Sequence, residues 1–236
     1  MYAMNKKNTL LRVVFDELDS TNEYAKKQRT NGQPLIVFAR RQTGGRGTKG
    51  RSFVSEQGGV YLSKLTFYEE FPAKDAFKIM ASAAVAVCET LRYYGLNPVI
   101  KWVNDIYVAD KKICGILIEN VFSGALVSSS VVGIGLNVKN TLPAELKDIA
   151  TTLYEQTEKQ PTVEEVEARL IEELQKERGM EEYLSYVGYM GRTATLIFGN
   201  ERVHGTLISV DETGGLWVDI GGEKRRLTAA EVSVRI

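Results

Sequence analysis

Two cysteines, one histidine, five prolines and two tryptophans are few for 236 residues. Each shortage removes a class of chemistry or architecture. Cys88 sits in a helix-like apolar pattern and Cys114 in a strand-like one, so the pair offers no disulfide framework, and a chain of this length needs none to bury a core. Both read as plain core thiols in a reducing compartment. The lone histidine, His204, falls among short strands near the C-terminus, which argues against a histidine-based triad or a zinc centre and makes it an ordinary strand residue. Net charge is also missing. Lysine plus arginine number 30 and aspartate plus glutamate 30, so no global field draws the protein to nucleic acid or to an anionic membrane. No run approaches the ~18 apolar residues of a membrane span, and MYAMNKKNTLL is too weakly apolar for a signal peptide. The expectation is a soluble, cytoplasmic protein with no membrane partner.

The patterns that are present predict an α+β chain. LLRVVFDEL reads as a first strand, and STNEYAKKQ as a helix, because Ser20 precedes Glu23 by the three residues of a capping box. PLIVFAR and GGVYLSKLTF are strand-like runs flanking a glycine-rich loop. Phe77, Met80, Ala81, Ala84, Cys88 and Leu91 recur at helical spacing up to Gly95, which stands where a helix ends. VIKWV, IYVA, KICGILIENV and SVVGIGLNV, separated by turn formers, predict an antiparallel meander. NTLPAELKDIATTLYEQ is a mixed helix and loop region, and the segment from Pro161 to Val187 predicts one amphipathic helix, capped by Thr162 and Glu165, whose charges form a solvated face. Beyond Gly191 five short strands with tight turns predict a small β-barrel, and the boundary is placed near residue 189.

The stretch FARRQTGGRGTKGRSF places Arg40, Arg41, Arg46, Lys49 and Arg51 among four glycines. Gly45, Gly47 and Gly50 satisfy the dinucleotide fingerprint, but that motif should open a helix, and here a strand follows. A phosphate-binding P-loop fails on the same context, with Arg51 at the lysine position. The shared physics survives both failures: glycines let backbone N–H groups approach an anion, and guanidinium forks neutralise phosphate oxygens. The competing reading is a solvated basic hairpin. A second cluster lies downstream, where KWVND ends a strand in an Asn-Asp turn and Lys112 follows Asp105 by seven residues. On spacing alone Lys112 reads as a turn cation, and Asn137, ending GIGLN, as either a turn residue or a ligand contact.

Taken together, DSTNEYA, RRQTGGRGTKGRSF, EQGGVYLS, IKWVNDIYV, KKICGILIE, VVGIGLNV and ATTL come in the order and spacing of biotin–protein ligases. The chain resembles that family over essentially its whole length, in a short form without an N-terminal DNA-binding domain. The resemblance implies a mixed, mainly antiparallel catalytic domain with flanking helices over residues 1–188 and an SH3-like β-barrel over 189–236. It implies an enzyme that activates biotin with ATP and Mg²⁺ as biotinyl-5′-AMP and transfers it to a lysine of a biotin carboxyl carrier protein, with no tightly bound protein-ligated metal. Ser20, Thr21, Asn22 and Gln42 would hold the ureido end of biotin, with Gly45, Arg46, Gly47, Thr48 and Gly115 closing around it. Lys112 would bridge the biotin carboxylate and the α-phosphate. Arg46, Lys49, Arg51, Trp102, Asn104 and Asn137 would attend the nucleotide, and DIATTL would cover it. Asp105 would face the incoming acceptor lysine. Lys112, Arg46, Arg51 and Asp105 are the implied catalytic set. The family's dimeric members leave a homodimer open, and the short N-terminus argues against DNA binding.

These residue types suit the chemistry. The carboxylate of biotin is itself the nucleophile, so the protein has to position two anions and offset growing negative charge, and no serine or cysteine nucleophile is needed. A lipoate or octanoate ligase is the nearest alternative, and Ser20 and Asn22 favour biotin because a lipoyl tail has no ureido group. A biotin-responsive repressor and a non-catalytic biotin binder fit less well. Two departures stand out against family patterns: Val103 in place of a proline, and Thr48 where many members carry a cation. One charge fewer in the lid, with Lys49 as a neighbouring cation, predicts easy escape of the adenylate. Thr48→Arg is expected to lower the dissociation rate of biotinyl-adenylate in a stopped-flow chase, and an unchanged rate would sink that reading.

Overall fold

The computed structural model describes residues 10–235. Seven strands make the larger sheet: β1 (Leu11–Leu18), β2 (Leu35–Gln42), β3 (Val60–Pro72), β4 (Val99–Lys101), β5 (Asp105–Val108), β6 (Lys111–Ser123) and β7 (Leu126–Leu136). Their spatial order is β1-β2-β3-β7-β6-β5-β4. β1 and β2 pair in parallel, because helix α1 (Thr21–Lys27) carries the chain back between them. Every other pairing in the sheet is antiparallel, and the predicted meander is the run β4 to β7. Helix α2 (Phe77–Tyr93) fills one face with alanine, valine and Cys88, all buried. It stops at Gly95, whose φ of +87° only glycine adopts without strain. The opposite face carries α1 over a smaller cluster of Ala25, Leu35, Val37, Leu65 and Val131. Both cysteines are buried and free, and burial raises both thiol pKa values, as core residues require.

The capping box at α1 is half made. Ser20 Oγ accepts the Glu23 N–H, but the Ser20 N–H is taken by Asp19 Oδ1 at 2.7 Å, which leaves the Glu23 carboxylate for other partners. After the short helix α3 (Leu153–Gln156), the segment predicted as one helix is two, α4 (Val163–Glu173) and α5 (Met180–Tyr186). Gly179 stands extended between them and caps α5, its N–H held by Glu182 Oε2 at 2.9 Å. The solvated-face expectation also needs correction. Glu173 is 1% exposed and binds Arg169, Lys176 at 2.8 Å and Arg178 at 2.5 Å. Burial pushes its carboxyl up, but the hydrogen bonds from Lys176 and Arg178 and the charge of Arg169 outweigh this and hold it below the usual range. Lys64 of β3 donates to Leu174 O at 3.1 Å, which seats the end of α4 on the sheet.

The C-terminal strands β8 (Thr193–Phe198), β9 (Glu201–Val210), β10 (Leu216–Ile220), β11 (Glu223–Leu227) and β12 (Ser233–Arg235) form one antiparallel sheet in the order β11-β10-β9-β8-β12. The predicted barrel is an open sheet among the described residues, since β12 is three residues long and pairs with β8 rather than closing on β11. This sheet is fastened to the larger one. Trp102 Nε1 donates to Gly214 O at 3.0 Å, and the Tyr189 hydroxyl meets Asp110 Oδ1 at 3.2 Å. The exposed side of α4 follows ordinary surface rules, but Glu173 does not. Glu173→Gln is expected to destabilise the fold by about 3 kcal/mol, the low end for breaking a buried ion pair because its cations keep some solvent. Urea unfolding checks this through the midpoint.

Candidate functional site

A strip of backbone without side chains is the floor of the site. Cross-strand partners share a face of a sheet, and the pairings Lys101↔Asp105, Asp105↔Gly115, Gly115↔Gly135 and Gly135↔Tyr61 set one row across β4, β5, β6, β7 and β3. The middle of that row is two glycines. A Cβ on Gly135 would lie 2.5 Å from the Phe53 ring, one on Gly115 would lie 3.2 Å from both Phe53 and the Lys112 ammonium, and one on the adjacent Gly133 would lie 2.0 Å from Asn22 Oδ1. The cleft above measures about 1490 Å³, more than the roughly 300–1,000 Å³ of a typical single-ligand pocket. It has room for two substrates.

One end of the cleft is a polar pocket built by the start of α1. Gln42 Oε1 accepts the Thr21 N–H at 2.8 Å, and Gln42 Nε2 donates to Ser55 Oγ at 2.9 Å. The Ser63 hydroxyl from β3 lies 2.8 Å from Thr21 Oγ1 and 2.5 Å from Asn22 Oδ1, while Asn22 Nδ2 donates to Glu119 Oε2 at 3.0 Å. Ser20, Thr21, Asn22 and Ser63 are buried. Such a set fixes donor and acceptor directions for a polar head that enters from the cleft.

The glycine-cation loop crosses the cleft as a strap. Arg46 Nη1 reaches Glu23 Oε1 at 2.8 Å, using the carboxylate that the half-made capping box left free. Lys49, at φ +57°, donates from Nζ to Val232 O and Ser233 Oγ, both at 3.0 Å. Arg51 folds back on Thr48, donating to its carbonyl at 3.2 Å and its hydroxyl at 2.9 Å. Thr48, noted as one charge fewer in the lid, thus braces the Arg51 guanidinium. Phe53 turns inward and lies on the glycine strip, edge-on to Tyr61 with ring centres 6.5 Å apart.

Lys112 closes the other side. Strict alternation would put Lys112 and Gly115 on opposite faces, but the register shifts at Ile106/Tyr107, with Ile106 opposite Cys114 and Tyr107 opposite Lys112. The extra residue, Ile113, re-aims Lys112 into the cleft and leaves Cys114 in the core. Lys112 Nζ then meets Asp105 Oδ1 at 2.6 Å. The turn that offers Asp105 is pinned from three sides. Asn104 Nδ2 donates to Ile116 O at 2.7 Å, the Tyr183 hydroxyl to Val103 O at 3.0 Å, and Trp102 is tied to Gly214 as described. The peptide between Trp102 and Val103 is cis. The backbone of Lys112 also pairs with the loop that covers the cleft, its N–H donating to Ile149 O and its carbonyl accepting the Thr151 N–H, each at 2.9 Å. Asn137 knits that loop inward, donating to Thr151 O and accepting from Asn140, both at 3.1 Å.

Of the residues singled out from sequence, Ser20, Thr21, Asn22, Gln42, Arg46, Gly47, Thr48, Lys49, Arg51, Trp102, Asn104, Asp105, Lys112, Gly115 and Asn137 all line this cleft. Gly45 does not line it; a Cβ there would fall 2.3 Å from Phe53 O, so its role is to let the loop close on itself. Phe53, Ser63, Gly133, Gly135 and Lys101 also belong to the cleft or its wall but escaped the sequence reading. The glycines in VVGIGLN were the available signal for Gly133 and Gly135, since glycine within a strand marks a close approach. Among the described residues no group of three or more histidine, cysteine, aspartate or glutamate side chains could hold a metal.

The chain is similar in sequence and fold to known proteins. A family described as the Biotin/lipoate A/B protein ligase family matches residues 14–137. The structure of biotin protein ligase from Aquifex aeolicus in complex with biotin and ATP superposes with a TM-score of 0.75 at 31% identity, covering 97% of this chain and 99% of that one. The bifunctional ligase/repressor of Escherichia coli is 29% identical over 240 residues, covering 94% of this chain and 73% of that protein. Its Bacillus subtilis counterpart is 38% identical over 148 residues, and the matched region spans 45% of that protein's length. The chain belongs to the biotin/lipoate A/B protein ligase family, within its biotin protein ligase branch.

Proposed function

We propose that the chain is an ATP-dependent biotin protein ligase that forms biotinyl-5′-AMP and passes the biotinyl group to a lysine of a biotin carboxyl carrier domain. The observation that carries this is the bare glycine strip with a polar pocket at one end and Lys112 beside Asp105 at the other. A fused bicyclic head with a ureido group finds donors and acceptors at Ser20, Thr21, Asn22 and Gln42, the flat strip accepts the ring and tail, and the tail's carboxylate ends near Lys112. In the first half-reaction Lys112 leaves Asp105 to neutralise that carboxylate and the α-phosphate, holding the two anions together. Arg46 and Arg51 bring further positive charge from the strap. A magnesium ion bound with the nucleotide would offset part of the triphosphate charge. Once Lys112 engages the phosphate, Asp105 is free to orient the acceptor lysine and take its proton. Trp102, Asn104 and Asn137 shape the nucleotide side, and the C-terminal sheet serves as the family's SH3-like module, starting near residue 189.

Incubation of a biotin carboxyl carrier domain with the protein, biotin and MgATP is expected to add the mass of one biotinyl group, and Lys112→Ala to abolish the gain. Modification by lipoate instead of biotin would move the chain to the lipoyl side of the family. Gly133→Ala places a methyl group against Asn22. It is expected to weaken biotin binding about tenfold or more by calorimetry, the scale of one spoiled buried hydrogen bond.

A further inference from the structure

Most cations on the larger sheet answer a carboxylate: Arg12 pairs with Glu167, Arg40 with Glu164 and Arg41 with Glu17. Lys101 does not. It is half-buried at the end of β4, and among the described residues its ammonium has no carboxylate within ion-pair distance. Its partners are the Tyr107 hydroxyl at 3.3 Å and the face of the same ring at 5.0 Å. Its cross-strand neighbour Asp105 is already engaged by Lys112 at 2.6 Å. Two more cations face the same space: Arg51, whose guanidinium bonds only to Thr48 among the described residues, and Arg235 of β12. Burial lowers the Lys101 pKa; the charge of Asp105 opposes this, and the smaller effects of Lys112, Arg235 and Arg51 add to the lowering. A half-buried ammonium among like charges is unfavourable unless a polyanion joins it.

The position says which polyanion. Lys101 shares the cleft-facing row with Asp105 and Gly115 but stands two strands from the glycine strip, roughly 10 Å at ordinary strand spacing, on the side of the C-terminal sheet. Resting on the reading of the cleft as an adenylation site, we infer that Lys101, oriented by the Tyr107 hydroxyl, binds the β,γ-diphosphate of ATP and the inorganic pyrophosphate it becomes. In that step a biotin carboxylate oxygen bonds to the α-phosphorus as the bond from that phosphorus to the α,β-bridging oxygen breaks. The electron pair of the broken bond stays on the pyrophosphate, and no proton moves. Lys101 donates hydrogen bonds into the charge that collects there, so it serves the first half-reaction and not the second.

Three measurements on the full chain test this, using wild type, Lys101→Gln and Lys101→Arg. Calorimetric titration with inorganic pyrophosphate is expected to show binding weakened about tenfold or more in the glutamine variant, the loss of one charge-assisted hydrogen bond, with the arginine variant near wild type. Biotin-dependent exchange of labelled pyrophosphate into ATP is expected to fall with it. Transfer from synthetic biotinyl-5′-AMP to a carrier domain, which involves no pyrophosphate, is expected to persist in all three and reports that the variants fold. Pyrophosphate bound equally by wild type and Lys101→Gln, or not bound by wild type, would overturn the assignment, as would a parallel loss of transfer. A wild type that binds pyrophosphate but shows no biotin-dependent exchange would overturn the ligase reading while the titration still decides Lys101.

Discussion

The close approach permitted by Gly115, Gly133 and Gly135 is the constraint on which the site depends. Phe53, Asn22 and the Lys112 ammonium all lie where side chains of β6 and β7 would stand. A side chain at any of the three would displace a neighbour in the strap, in helix α1 or at the bulged start of β6. The seven-stranded sheet therefore does two unlike jobs on its two faces. Toward α2 it is packed with valine, isoleucine and leucine, as a core sheet must be. Toward the cleft its middle is stripped to backbone, and the rigidity of the packed face holds that strip flat.

Charge is distributed with the same division of labour. Away from the cleft, many arginines and lysines meet carboxylates, and the burial of Glu173 among three cations is the extreme case. Among the residues lining the cleft, cations outnumber carboxylates: Arg46, Lys49, Arg51, Lys101, Lys112, Arg192 and Arg235 face Asp105, Asp110, Glu145 and Asp148, and Asp105 is already held by Lys112. A chain with no net charge thus holds a local excess of positive charge where two anionic substrates would have to meet. Lys112, Arg46, Lys49, Arg51 and Lys101 each hold an interim partner meanwhile: a carboxylate, a main-chain carbonyl, a hydroxyl or an aromatic face.

Much of this was legible in the sequence, for identifiable reasons. Strands and α2 followed from periodicity, and the glycine-cation loop and the Asp105–Lys112 spacing pointed to a site because those residue types have little other reason to gather at strand ends. The break at Gly179 was missed because the apolar spacing continues across it, and the burial of Glu173 because a charged residue on a helix is ordinarily solvated. Lys101 and Phe53 were missed because their role comes from register and loop closure, which are non-local. The bulge at Ile113 shows the limit most plainly: alternation alone would have turned Lys112 toward the core.

The contact of Lys49 with Val232 and Ser233 ties the strap over the cleft to β12. Together with Trp102 on Gly214, it makes the cleft a seam between two parts of the polypeptide that are far apart in sequence. During synthesis the strap is complete long before its anchor leaves the ribosome. A nascent chain made only as far as β11 would therefore carry a finished floor beneath an unfastened cover.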